Sequence, residues 1–174
     1  MKLTSLNTRR ETIYKGRALK RLLVPVDFSD CSREALAYAE KLAGGFGARI
    51  TILNVVPLNE GILRLGAKQF ELLDQQLQEN QRRKLAGFVR ESTGSKPARC
   101  LVRLGDPVRE IVRAAEELSA TAIVISTHGL TGVKHALIGS VAEKVVRHAR
   151  CPVWIVPART GFHDVISVNG KARQ

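Results

Sequence analysis

The stretch Thr121–Ser140, TAIVISTHGLTGVKHALIGS, decides how the rest of the chain is read. Ala122–Ile125 is a short, unbroken apolar run, the pattern of a buried strand. It gives way to a polar segment carrying Gly129 and Gly132, and nine residues separate Gly129 from Gly139-Ser140, where a helical pattern begins. A glycine lets a ligand approach the backbone closely, because no Cβ stands in the way. A helix start offers free N–H donors and the positive end of the helix dipole. Strand, glycine loop and helix start together predict a place for an anion, phosphate foremost.

Downstream, Val141, Val145, Val146 and Ala149 repeat at helical spacing and predict the inward face of a last helix. Pro152–Val156, PVWIV, predicts the last strand. Upstream, Gly105-Asp106-Pro107 predicts a turn, with Asp106 as cap and Pro107 at the first helical position. Val108, Ile111, Val112, Ala115 and Leu118 line one face of the helix that follows. Ala98–Leu104 alternates, which predicts a strand near a sheet edge. A long Gln- and Arg-rich helix is predicted from Ala67 to about Ser92. Its apolar stripe is Phe70, Leu73, Leu77, Leu85, Phe88 and Val89, and its polar remainder reads as a solvated face.

Ala48–Val56 predicts a second buried strand, stopped by Pro57. Arg21–Asp27, RLLVPVD, predicts the first. Pro25 cannot donate to a ladder, so it belongs near the end of that strand. Phe28-Ser29-Asp30 reads as a turn in which Ser29 or Asp30 caps a helix. That helix turns Ala35, Leu36, Ala39, Leu42 and Ala43 inward, and Gly44-Gly45 ends it.

Strands alternating with helices predict right-handed crossovers and a parallel sheet covered on both faces, a Rossmann-like α/β domain. The domain runs over 19–157, between a basic tail (1–18) and a second tail (158–174). In such sheets ligands bind at the carboxyl ends of the strands, where the winding reverses. Asp27 closes the first strand and the glycine loop follows the fourth. Alone, Asp27 is a strand-closing turn residue; facing that loop, it becomes a ligand contact.

Composition sets the outer limits. The 174 residues are 44% hydrophobic and 25% charged, ordinary for a globular protein. No run of about 18 apolar residues occurs, so no membrane insertion is expected. The N-terminus lacks the apolar core of a secretory signal. Cys31, Cys100 and Cys151 are isolated and odd in number, which predicts reduced thiols in the cytoplasm. Cys31 lies near a predicted helix start, where thiolates are favoured, yet it reads as an inert small residue. The net charge of +12 predicts weak polyanion binding. Part of it belongs to the tail, where Lys2, Arg9, Arg10, Lys15, Arg17 and Lys20 face Glu11 alone. No GxxxxGK[ST] loop, GxGxxG turn, GxSxG elbow or metal-ligand spacing of His and Cys is present.

Three segments together resemble the universal stress protein family: LLVPVDFSD, ITILNVVP and ISTHGLTGVKHALIGSVAEKVVRHARCPVWIV. The resemblance covers Lys20 to about Pro157. It implies a five-stranded parallel sheet in the order 3-2-1-4-5, and homodimers paired through the last strand. Nucleotide-binding members carry Gly-x-x-Gly, nine residues, then Gly-Ser or Gly-Thr. Here Ser126-Thr127-His128-Gly129 precedes the nine, so the first glycine is a serine, whose hydroxyl can donate to a phosphate.

The resemblance implies bound ATP, with Mg2+ or Mn2+ arriving on the phosphates. Asp27 would contact the ribose, and Pro25 and Val26 would shape the adenine side. Ile50 would touch adenine through its backbone. Ile125 and Ser126 would line the pocket, and Gly129, Gly139, Ser140 and Val141 would hold the phosphates. Three functions stand open: an ATP-binding stress-response module acting as a dimer; a slow ATP hydrolase using the same pocket, assisted by Lys134 and His135; and a non-nucleotide-binding interaction protein using its basic surface. His128 lies in the loop, but the sequence places no acid to orient it as a base.

Overall fold

The computed structural model describes residues 19–58, 67–93, 99–127 and 139–157, with backbone alone over 67–74. Five strands alternate with four helices: β1 (Arg21–Pro25), α1 (Asp30–Phe46), β2 (Arg49–Val56), α2 (Ala67–Thr93), β3 (Cys100–Leu104), α3 (Pro107–Glu117), β4 (Ala122–Ser126), α4 (Ser140–His148) and β5 (Val153–Val156). All strand pairs are parallel, in the order β3-β2-β1-β4-β5. This is the α/β architecture and strand order that the sequence led us to expect.

Side-chain alternation sends apolar residues to both faces of the sheet. Leu23, Leu53, Ile123 and Ile125 pack with Ile111, Ala114 and Ala115 of α3 and Ala142 and Val145 of α4. Val24, Ile52, Val102 and Val124 pack with Leu36 and Ala39 of α1 and Leu85, Phe88 and Val89 of α2. Each large side chain buried there is worth about 2 kcal/mol.

Local chemistry fixes the helix ends, with two departures from expectation. Ser29, rather than Asp30, caps α1 by accepting from Ser32 N–H. Asp106 caps α3 by accepting from Arg109 N–H, with Pro107 in the first turn. Gly44-Gly45 does not end α1. The helix runs through both to Phe46, and Gly47 terminates it in the left-handed region at φ 62. Two glycines inside a helix cost only about 1 kcal/mol each, while termination needs positive φ. In α4, Val141 and Val146 are exposed, and the inward face is Ala142 and Val145. A nine-residue helix against one sheet edge buries a narrow stripe, so the apolar spacing overstated it.

The pairing of β1 with its two neighbours is uneven. Arg49 N–H donates to Lys20 O, and Val26 N–H donates to Leu53 O, so the even-numbered residues of β1 face β2. The odd-numbered residues face β4: Arg21 O accepts from Thr121 N–H. Pro25 therefore turns its missing N–H toward β4. Pairing with β2 runs from Arg21↔Arg49 to Pro25↔Leu53, but pairing with β4 covers only Leu22↔Ala122 and Leu23↔Ile123. The two strands part at their carboxyl ends because the ladder has no donor to continue with.

The amino end is closed instead. The Thr121 hydroxyl accepts from Lys20 N–H and Arg21 N–H, both at 3.1 Å, and donates to Arg21 O at 2.8 Å. The outer strands also differ. β3 carries Arg103, ion-paired with Glu110 and Glu117 of α3. β5 is Val-Trp-Ile-Val, without a charge, between Pro152 and Pro157. Among the described residues, no helix is long and apolar enough to cross a membrane.

Candidate functional site

The gap between β1 and β4 opens into a crevice of about 430 Å³ at the carboxyl ends of the strands, within the size range of small-ligand sites. The tips of β2, β1 and β4 line it in that order, with the start of α4 beyond β4.

At the β1 tip stand Pro25, Val26 and Asp27. The half-buried Asp27 Oδ1 accepts from Ser29 N–H at 3.0 Å and from the Ser29 hydroxyl at 2.5 Å. Ser29 thus caps α1 and fixes the carboxylate with one hydroxyl. Between them, Phe28 takes φ 68, an uncommon conformation for a residue with a Cβ. Its ring is anchored edge-on to Phe88, with centroids 5.5 Å apart, and Lys84 Nζ lies 4.3 Å over it.

At the β4 tip, Ile125 and Ser126 line the crevice as expected. Thr127 N–H continues the sheet to Val156 O, and Thr127 O accepts from Gly139 N–H. That last bond joins the start of α4 to the end of β4. It also occupies the Gly139 N–H, so Gly139 positions the helix and cannot itself donate to a ligand, contrary to expectation. The donors are one residue on. Glu143 N–H makes the first helical bond, to Gly139 O, and no side chain caps α4. Ser140, Val141 and Ala142 line the crevice with first-turn N–H groups that have no carbonyl in their own helix. Gly129, Gly132, His128, Lys134 and His135 fall outside the described residues.

Ile50 is a correction. It pairs with Leu22 near the amino end of β2 and packs beside Ala43 and Ala122. Four residues of extended chain, about 13 Å, separate it from Asn54 at the crevice. The residues that do face the crevice from β2 are Asn54, Val55 and Val56, with Pro57. Gln81 and Lys84 of α2 and Pro107 and Ile111 of α3 add to its walls. Asn54 is buried, with 4% of its surface exposed; its Nδ2 donates to Val26 O, and its Oδ1 has no partner. Gln81 Oε1 is also buried without a partner.

Cysteine chemistry plays no part here. Burial pushes the Cys31 thiol up, and the carboxylates of Glu34, Asp27 and Asp30 push it further, so it stays a neutral thiol. Burial likewise raises Cys100. No group of three His, Cys, Asp or Glu side chains able to hold a metal occurs among the described residues.

Comparison with known proteins places this geometry. Residues 18–157 match the model of the universal stress protein family. The chain is 33% identical over 156 residues to the universal stress protein MJ0531 of Methanocaldococcus jannaschii, covering 88% of each. The solved structure of protein MJ0577 from the same organism superposes with a TM-score of 0.66 at 27% identity, covering 83% of this chain and 99% of that one. A universal stress protein solved in complex with cAMP superposes at 0.54, with 24% identity over 80% of this chain and 97% of the other. At that identity the likeness is one of fold.

Proposed function

The chain belongs to the universal stress protein family, and from that premise we propose that it is an ATP-binding module of a stress response, working in the cytoplasm as a homodimer. One observation carries the reading. The uncapped start of α4 faces Asp27 across the gap that Pro25 leaves between β1 and β4.

The strand order supplies an order for the ligand. Tips of neighbouring strands lie about 4.8 Å apart, so β2 to β4 spans about 10 Å, the reach of a nucleoside phosphate. Phosphates lie at α4, on the N–H groups of Ser140, Val141 and Ala142 and on the Ser140 hydroxyl, with Ser126 and Gly129 beside them. The positive end of the helix dipole favours their charge. The ribose lies at β1, where Asp27 accepts from a hydroxyl. The base lies toward β2, against the apolar walls of Pro25, Val55, Pro107, Ile111 and Ile125. Mg2+ or Mn2+ takes its ligands from phosphate and water. The domain so assigned is 19–157, with tails on either side that supply much of the weak attraction to polyanions.

The dimer uses β5. That edge is apolar and uncharged; Tyr38, stacked near Trp154, and Val146 of α4 are both exposed. Titration with ATP and Mg2+, read by calorimetry and thermal shift, tests the central claim. At 100 times its dissociation constant ATP stabilises the fold by about 2.7 kcal/mol. An unchanged melting temperature at millimolar ATP sinks the reading.

A further inference from the structure

We infer that Asn54 and Gln81 read the exocyclic amino group of the base, making the site selective for a 6-aminopurine through side chains that the glycine motif does not include. The inference rests on the adenine-nucleotide reading above and adds the source of its base selectivity.

The orientation of Asn54 is fixed by its neighbour. Val26 O can only accept, so the amide nitrogen of Asn54 must be the atom that meets it, at 2.9 Å. Oδ1 is thereby left over, an acceptor with no donor on a side chain 96% removed from solvent. Gln81 Oε1, on the wall contributed by α2, is in the same condition. These are the two buried, unpartnered side-chain polar atoms among the described residues, and both belong to residues of one crevice. Desolvated acceptors without donors are destabilising. What removes that penalty is a group with hydrogens to give. With the phosphates at α4 and the ribose at β1, the part of the ligand nearest Asn54 is the base. The 6-amino group of adenine carries two hydrogens, one for each oxygen. A purine without that group leaves both oxygens unpaired, the condition under which polar sites discriminate most strongly.

The test uses the full-length chain with Mg2+ and two ligands: ATP, and purine riboside 5′-triphosphate, in which hydrogen replaces the amino group. The wild type is expected to bind ATP at least about tenfold more tightly than the analogue. In Asn54→Leu and Gln81→Met the ratio falls toward one, because ATP loses its advantage while the analogue loses nothing. Asn54→Leu also releases Val26 O and can fail to fold; Gln81 is half-buried on a helix, and Gln81→Met then carries the test. A ratio near one in the wild type overturns the inference alone, since a water donating to both oxygens then serves them equally with either ligand. An undiminished ratio in Gln81→Met and in any folded Asn54→Leu does the same. Failure of the wild type to bind ATP at all overturns the parent reading along with it.

Discussion

The two ends of the β1–β4 seam are built from the same strands and finished in opposite ways. At the amino end one hydroxyl, on Thr121, serves three backbone groups of Lys20 and Arg21. At the carboxyl end Pro25 withholds a donor, the pairing stops at Leu23↔Ile123, and two buried oxygens go unserved. Buried polar groups are nearly always paired. A seam that is over-satisfied at one end and under-satisfied at the other shows where stability is concentrated and where it is left available to a ligand.

That contrast can be broken by experiment, the largest effect first. Thr121→Val keeps the shape and removes the hydroxyl. It should cost about 2 kcal/mol in urea unfolding, because two part-buried N–H groups lose their acceptor, with ATP affinity held within about twofold. A large loss of affinity would mean that the two ends are not separable. Asp27→Ala should do the reverse. We expect at least about tenfold weaker ATP binding, near 1.4 kcal/mol, by calorimetry, and a smaller loss of stability. Unchanged affinity would remove the carboxylate from the site. Pro25→Ala is the finest probe. The restored N–H adds a bond worth about 1 kcal/mol, while the freer unfolded chain takes back about 0.4–1 kcal/mol. Net stability should therefore move by less than about 1 kcal/mol, whereas ATP binding weakens several-fold as the strands draw together. Slowed amide exchange at the end of β4 would report the closure directly.

The amino acid pattern discloses most of the architecture and about one half of the crevice. Apolar runs and caps at Ser29, Asp106 and Pro107 are local signals, and they place the elements. Asp27, Ile125, Ser126 and the start of α4 are legible because they sit at element ends marked by glycine, serine or proline. Asn54 and Gln81 are not. Asn54 sits in an apolar strand whose register against β1 is a tertiary fact, and Gln81 is one glutamine in a helix that reads as solvated. Ile50 was misplaced for the same reason. Counting back from Pro57, which stops β2, would have pointed to Asn54–Val56, because ligands gather at carboxyl ends. The Gly139 N–H depends on a bond to Thr127 O that no motif contains.

The prolines at 152 and 157 bound β5 to four residues. Fibril-forming segments are commonly six or seven residues long and lack proline. A freshly synthesised chain that has not met its partner thus exposes an adhesive ribbon too short to seed stacking. The same two rings that limit how much backbone a dimer can share also keep the solitary subunit from misassembling while it waits.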